Sequence, residues 1–328
     1  MRMTLGDVSY DRSIPGRSAG LYLTARCPVG CAHCSVDSRP DSPTISDFNL
    51  FTEIVQELSG RKALNSVGIS GGEPFVERRG LVIAINELSE AGKGIALFTS
   101  GVWAQPAEIP KWIRSAIRKV SCVFLSTDTY HAANIDDAVF IRAIQTIVSE
   151  NVWLIVQVLR RDIDSATRLL DEALGLDWPS FAEISPISEL PYGRGASLFE
   201  SSGSWPAHAF GRCSLSVSPL VRYDGMVAAC CNEEVIMGKG AGRLRRHCST
   251  VDEIATALDD YVSDPLLRGL HSVGAGSIVS HPRYQTLENE PFKSICDLCW
   301  TMQRMTPGVD KDPVLKAAVL VAEVGGIS

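Results

Sequence analysis

The chain has 328 residues, long for one compact domain and short for three, so one large domain with a smaller appendage is expected. Hydrophobic residues make up 45% and charged residues 21%, which permits a packed core and excludes wholesale disorder. The net charge of −7, from 31 basic and 38 acidic residues, argues against a nucleic-acid-binding protein.

Residues 1–7 lack the apolar stretch of a signal peptide. No run approaches the roughly 18 apolar residues of a membrane span, so a cytoplasmic protein without a membrane partner is expected. Short apolar runs follow at 21–25, 67–70, 95–99, 123–126, 154–158 and 182–185, most of them apolar throughout, as strands buried on both faces are. Amphipathic stretches lie between them. Leu50, Phe51, Ile54, Val55 and Leu58 repeat at helical spacing, as do Val139, Phe140, Ala143, Ile144, Ile147 and Val148. Six β–α units in a row predict an α/β fold with a parallel sheet, either a barrel or a doubly wound sheet. Residues 201–206, Ser-Ser-Gly-Ser-Trp-Pro, read as a linker. Beyond it the chain is loop-rich and carries six of the ten cysteines, and a terminal helix is predicted over 314–324. The expected division is a core over 1–200, a small cysteine-rich region over 201–305 and a C-terminal helix within 306–328.

Ten cysteines in a chain of this size point to metal or catalysis rather than disulfides. Cys27, Cys31 and Cys34 sit in one tight loop directly after the first predicted strand. A structural zinc site usually takes four ligands, and no fourth is adjacent. A 4Fe–4S cubane on three thiolates leaves one iron open to a small molecule. The alternatives are a zinc site completed by His33 or a distant residue, and chance clustering. Gly71-Gly72-Glu73-Pro74 ends the second predicted strand, where two glycines allow close backbone approach and a carboxylate suits an ammonium. Its plain reading is a strand-ending turn. Ser100, Ser126 with Asp128, and Arg160 follow the third, fourth and fifth strands, where barrel enzymes place their chemistry. Arg160 reads equally as a surface charge.

Taken together, Cys-x3-Cys-x2-Cys, the Gly-Gly-Glu-Pro segment and the polar strand ends resemble the radical S-adenosylmethionine superfamily. The resemblance implies a partial (β/α)6 TIM-like barrel. It also implies a 4Fe–4S cluster on Cys27, Cys31 and Cys34, with S-adenosylmethionine held by Gly71, Gly72, Glu73, Pro74, Ser100, Ser126, Asp128 and Arg160. Pro191-Tyr192-Gly193-Arg194-Gly195 resembles the family's segment after strand six. The implied chemistry is reductive cleavage of the cofactor to a 5′-deoxyadenosyl radical, which removes hydrogen from an unactivated carbon. A reductant such as flavodoxin or ferredoxin is implied as partner.

Cys213, Cys230 and the distant Cys296-x2-Cys299 resemble the Twitch fold, whose four thiolates enclose an auxiliary 4Fe–4S cluster. A zinc-ribbon-like site is the loose equivalent. Cys231 adjoins Cys230, and two neighbouring cysteines rarely bind one cubane in such a hairpin. A spare thiol resembles that of the superfamily's epimerases, which return hydrogen to a carbon radical through a cysteine. Its plain readings are a structural thiol or an alternative cluster ligand. Cys248 could take either role in place of Cys231, and Cys122 reads as core. The expectation is an epimerase of a peptide or amino-sugar natural product. The alternatives are a dehydrogenase of a sugar or cyclitol alcohol and a peptide cross-linking maturase. For the maturase, the stretch before Cys27 is too short for a precursor-binding domain, so a separate partner would supply one. A non-enzymatic iron–sulfur or zinc protein is the reading outside enzymology.

Overall fold

The structure is a computed structural model, and it describes residues 2–200, 203–306 and 312–324. The first helix, α1 (Leu5–Ser13), starts at a capping box in which Thr4 and Asp7 satisfy one another's backbone donors. Six strands then alternate with helices: β1 (Ser18–Tyr22), α2 (Phe48–Gly60), β2 (Ser66–Ser70), α3 (Arg78–Glu90), β3 (Gly94–Thr99), α4 (Lys111–Ile117) and β4 (Cys122–Thr127). The series continues with α5 (Thr129–Ala132), α6 (Asp137–Ser149), β5 (Trp153–Leu159), α7 (Ile163–Leu174) and β6 (Ala182–Ile187). All neighbouring pairs from β1 to β6 are parallel.

Five of the six strands fall within two residues of their sequence-predicted bounds. The exception is the first, expected at 21–25 and found at Ser18–Tyr22. From Leu23 the chain leaves the sheet, and Ala25 donates to the carbonyl of Pro43 as it enters the cysteine loop. The predicted helical faces are the buried ones: Phe51, Ile54, Val55 and Leu58 on α2, and Phe140, Ala143, Ile144 and Ile147 on α6. Each such large side chain removed from water contributes about 1.5–3 kcal/mol, enough to fix which face turns inward.

The later region begins with β7 (Trp205–Pro206), β8 (Leu220–Arg222) and β9 (Met226–Ala228), then α8 (Glu233–Ile236) and β10 (Arg245–His247). Helices α9 (Val251–Ser263), α10 (Pro265–Ser272) and α11 (Ala275–Ile278) follow, then β11 (Pro291–Phe292), α12 (Ile295–Met305) and α13 (Pro313–Val324). β8 pairs parallel to β1 on its free side, and β9 and β10 add antiparallel, so one nine-stranded sheet runs β10-β9-β8-β1-β2-β3-β4-β5-β6. The sheet and main core thus continue past residue 200. A second core, including Ala207, Leu266, Leu270, Leu298, Met302 and Leu315, belongs wholly to the later region. Of the expected linker, residues 201 and 202 lie outside the described residues.

Helix α1 closes one end of the barrel. Met3 donates its backbone N–H to Ser121 at 3.1 Å, and the Leu5 N–H reaches Glu183 Oε1 at 2.6 Å. Met3 and Val8 are buried against Ala96, Cys122, Phe124 and Ile155, so Cys122 is a core thiol as expected. Among the described residues, no helix is long and apolar enough to cross a membrane.

Candidate active site

A cavity of about 820 Å³ lies against the sheet, lined by residues of β1 to β6. Its wall on β1 to β3 is built from small residues, Ser18, Gly20, Ser66, Gly68, Ser70 and Ala96, which leave the space unfilled. Cys27, Cys31 and Cys34 line it. Their loop turns at Gly30, whose φ of 74° lies in the left-handed region that glycine adopts without strain.

Arg194 clamps this loop. Its guanidinium donates to the Cys31 carbonyl at 3.0 and 2.8 Å, to Asp37 at 2.8 Å and to the Ser38 carbonyl at 2.9 Å. The Arg194 backbone N–H adds a bond to the Cys34 carbonyl. A Cβ at Gly193 would stand 2.4 Å from that same carbonyl, so the close approach requires glycine. Burial, together with the neighbouring thiols, pushes Cys27 up to about 11 and Cys31 up to about 12. Buried thiols of this kind give up their protons when a cation binds them.

The Gly-Gly-Glu-Pro segment does something sequence reasoning did not assign to it. A Cβ on Gly71 would lie 2.5 Å from the Thr24 carbonyl oxygen, and one on Gly72 would lie 2.2 Å from that of Arg26. The close approach is therefore to the chain's own path into the cysteine loop. Gly72 N–H and Glu73 N–H each donate there at 2.7 Å. Glu73 is fully buried. Its carboxylate accepts from Thr99 Oγ1 at 2.8 Å, the Phe75 N–H at 3.2 Å, the Ser100 N–H at 2.9 Å and Ser100 Oγ at 2.6 Å. Burial pushes its pKa up, while these bonds pull it down. Gly71, Gly72 and Ser100 line the cavity; Glu73 and Pro74 stand behind that wall.

Ser126 and Asp128 line the cavity at the end of β4. Asp128 Oδ1 accepts the backbone N–H groups of Tyr130 and His131, and Oδ2 lies 2.9 Å from His131 Nδ1 and 3.1 Å from His33 Nε2. Burial would raise its pKa, yet the bonds from both imidazoles hold the carboxyl far below the usual carboxylate range. These three side chains present ligand atoms within 4.8 Å of one another. His33 also stacks on Tyr130 at 4.8 Å, and its buried Nδ1 has no partner. Arg160 is exposed and does not line the cavity; Gln157 and Leu159 present that part of the wall.

The late cysteines converge as well. The ionisation of Cys230 is opposed first by burial and then by Cys231, Cys299 and Cys213, and that of Cys299 by burial, Cys213 and Cys296. Burial and Cys213 push Cys296 up to about 12. Cys296 and Cys299 sit in the first turn of α12, capped by Ser294. Cys231 lines the cavity, as does Cys296. Arg12 Nη2 donates to the Cys231 sulfur at 3.1 Å, and the ionisation of Cys231 is opposed first by burial and also by Cys213. Cys248 is buried and lies outside the cavity wall. No sequence pattern singles out Arg12, which meets its partner across 219 positions.

Residues 21–169 match the model of the Radical SAM superfamily. YydG of Bacillus subtilis (strain 168), whose name refers to peptide biosynthesis, is 25% identical over 118 residues, 35% of this chain and 37% of YydG. The match thus spans little more than a third of either protein. Streptococcus suis SuiB bound to S-adenosylmethionine superposes with a TM-score of 0.50 at 13% identity, over 79% of this chain and 68% of SuiB. The protein anSMEcpe with bound AdoMet gives 0.51 at 12% identity, over 94% and 98% of the two chains. At these identities the likeness is one of fold. Residues 21–169, which run from β1 into α7 and include the three-cysteine loop, are thus similar to the Radical SAM superfamily domain.

Proposed function

We propose that this enzyme binds a 4Fe–4S cluster on Cys27, Cys31 and Cys34 with S-adenosylmethionine beside it, and epimerises a carbon centre of a peptide through Cys231. The observation that carries this reading is that Cys231 and the three-cysteine loop line the same cavity, while Cys230 stays out of its wall and within electrostatic reach of Cys213 and Cys299. The site suits the cofactor: three convergent thiols, a glycine-rich wall and an orphaned His33 Nδ1 await partners. When bound, the group supplies one-electron chemistry and hydrogen abstraction from an unactivated carbon.

The chain's own residues do the rest. Arg194 fixes the loop, and Glu73 ties the ends of β2 and β3 so that Gly71, Gly72 and Ser100 face the cofactor. Ser126 and Asp128 continue that wall, and α1 excludes water from below. The Cys231 S–H bond delivers a hydrogen atom to the substrate carbon from within the cavity. Cys213, Cys230, Cys296 and Cys299 hold a second 4Fe–4S cluster, in a Twitch-like arrangement. A flavodoxin or ferredoxin is the reductant. A peptide is favoured over a sugar because YydG is named for peptide biosynthesis and SuiB has been seen bound to its precursor peptide SuiA.

One observation favours a second reading, a peptide maturase that oxidises or cross-links. Cys296 of the late set also lines the cavity, so a substrate radical could pass its electron there. Turnover in D2O separates the two. Epimerisation through an exchangeable thiol leaves one deuterium in the product, whereas oxidation removes two hydrogens and leaves none. Failure of reduced, iron-loaded protein to form 5′-deoxyadenosine would overturn both.

A further inference from the structure

Cys230 and Cys231 are adjacent, both are sheltered from solvent, and either sulfur could serve as the fourth ligand beside Cys213, Cys296 and Cys299. Something must decide between them. Arg12 half-buries its guanidinium at the last turn of α1, and its Nη2 donates to Cys231 Sγ at 3.1 Å. Among the described residues this is the one side-chain bond that Arg12 makes. The helix end is itself fixed, because buried Asp11 accepts from Arg17 Nε at 3.0 Å and Asn65 Nδ2 at 2.6 Å. A charge-assisted bond from an anchored donor is directional. Turning Cys231 toward the other thiols would forfeit this bond, leaving Arg12 only its charge interaction with Glu233.

We propose that Arg12 is a positioning residue that assigns the two neighbouring cysteines their separate tasks: it holds the Cys231 sulfur in the cavity and leaves Cys230 to the late thiol set. This rests on the reading that Cys213, Cys230, Cys296 and Cys299 hold a cluster. The role belongs to this chain's N-terminal helix and not to the barrel strands that carry the rest of the site.

The test is anaerobic alkylation of the iron-loaded full chain with N-ethylmaleimide, mapped by peptide mass spectrometry. In the wild type Cys231 is modified and Cys230 is protected, with a rate ratio of roughly tenfold or more, since a thiolate bound to a cluster is blocked while a cavity-facing thiol is open to the reagent. Arg12→Met, which has no donor, brings that ratio near unity, because either sulfur can then ligate, and the reduced late cluster gives a mixed electron paramagnetic resonance spectrum. Arg12→Lys retains a cationic donor and restores the wild-type pattern. Arg12→Leu serves as a second donor-free variant should Arg12→Met fail to accumulate. A wild-type pattern in the donor-free variants overturns the proposal. Protection of Cys231 with modification of Cys230 in the wild type, or modification of all four late cysteines, overturns the underlying reading instead.

Discussion

Glu73 accepts two hydrogen bonds from Ser100, one from its backbone N–H at 2.9 Å and one from its hydroxyl at 2.6 Å, and so joins the end of β2 to the end of β3. The carboxylate is an internal brace. Glu73→Ala leaves the donors of Thr99 and Ser100 unpaired in a buried place, and stability falls by on the order of 1–3 kcal/mol for each group orphaned. Denaturant unfolding of the cluster-free protein measures this. A variant as stable as wild type would return Glu73 to a purely cofactor-facing role.

Gly72→Ala should be as damaging without removing any hydrogen-bonding group. Its Cβ would stand 2.2 Å from the Arg26 carbonyl oxygen, which is backbone and cannot swing away. Overpacking of this kind costs about 1–3 kcal/mol. The same substitution at Gly92, where a Cβ would meet nothing within 4 Å, controls for the loss of glycine. Thermal unfolding of the two variants should separate them.

Arg194→Ala should leave the barrel folded and loosen the cysteine loop, because the guanidinium's four bonds all end on residues 31–38. Iron bound by a late-cysteine-free background should drop well below the about four atoms of one cubane. Arg194→Lys should not rescue it, since one ammonium cannot reproduce the fork. Full iron retention in Arg194→Ala would show that the loop holds itself.

Cys231→Ala should retain both clusters and still form 5′-deoxyadenosine, yet lose inversion of the product. Cys27→Ala, Cys31→Ala and Cys34→Ala should each abolish cofactor cleavage. Iron analysis and chromatography of the nucleoside read both. Inversion surviving in Cys231→Ala would end its assignment as hydrogen donor.

Glu150 gives a pH dependence with a definite sign. Burial would raise its pKa, but Arg114 at 3.0 Å and Arg118 at 2.6 Å hold the carboxyl below its ordinary value of 4.5. A depressed folded-state pKa means the contribution is present above that ordinary value and is lost as pH falls through the folded one. Wild-type melting temperature should therefore fall more steeply than that of Glu150→Gln between about pH 5 and about pH 3. The effect is modest, because both arginines reach solvent. Parallel curves would remove Glu150 from the acid response.

The barrel was legible because its strands are short apolar runs, and burial on both faces leaves little ambiguity about what such runs do. The cysteine loop was legible because its ligands are local. Arg160 shows the limit: it follows β5 in sequence, but strand pleat and the turn after Leu159 carry it to the exposed side, and Gln157 faces inward instead. The brace at Glu73, the clamp at Arg194 and the contact between Arg12 and Cys231 depend on strand register and on helix placement. No periodicity encodes these, since the partners lie 27, 163 and 219 positions apart.

The seam between β1 and β8 has a mechanical consequence. Gly20 takes the Pro219 carbonyl at 2.8 Å, and Tyr223 takes that of Tyr22 at 2.9 Å, so the later hairpin is stitched to the strand that feeds the cysteine loop. Rotating the two halves apart would tear this ladder, with its backbone groups left unsatisfied. The spacing between the two thiol sets is therefore set by covalent chain and sheet rather than by a hinge.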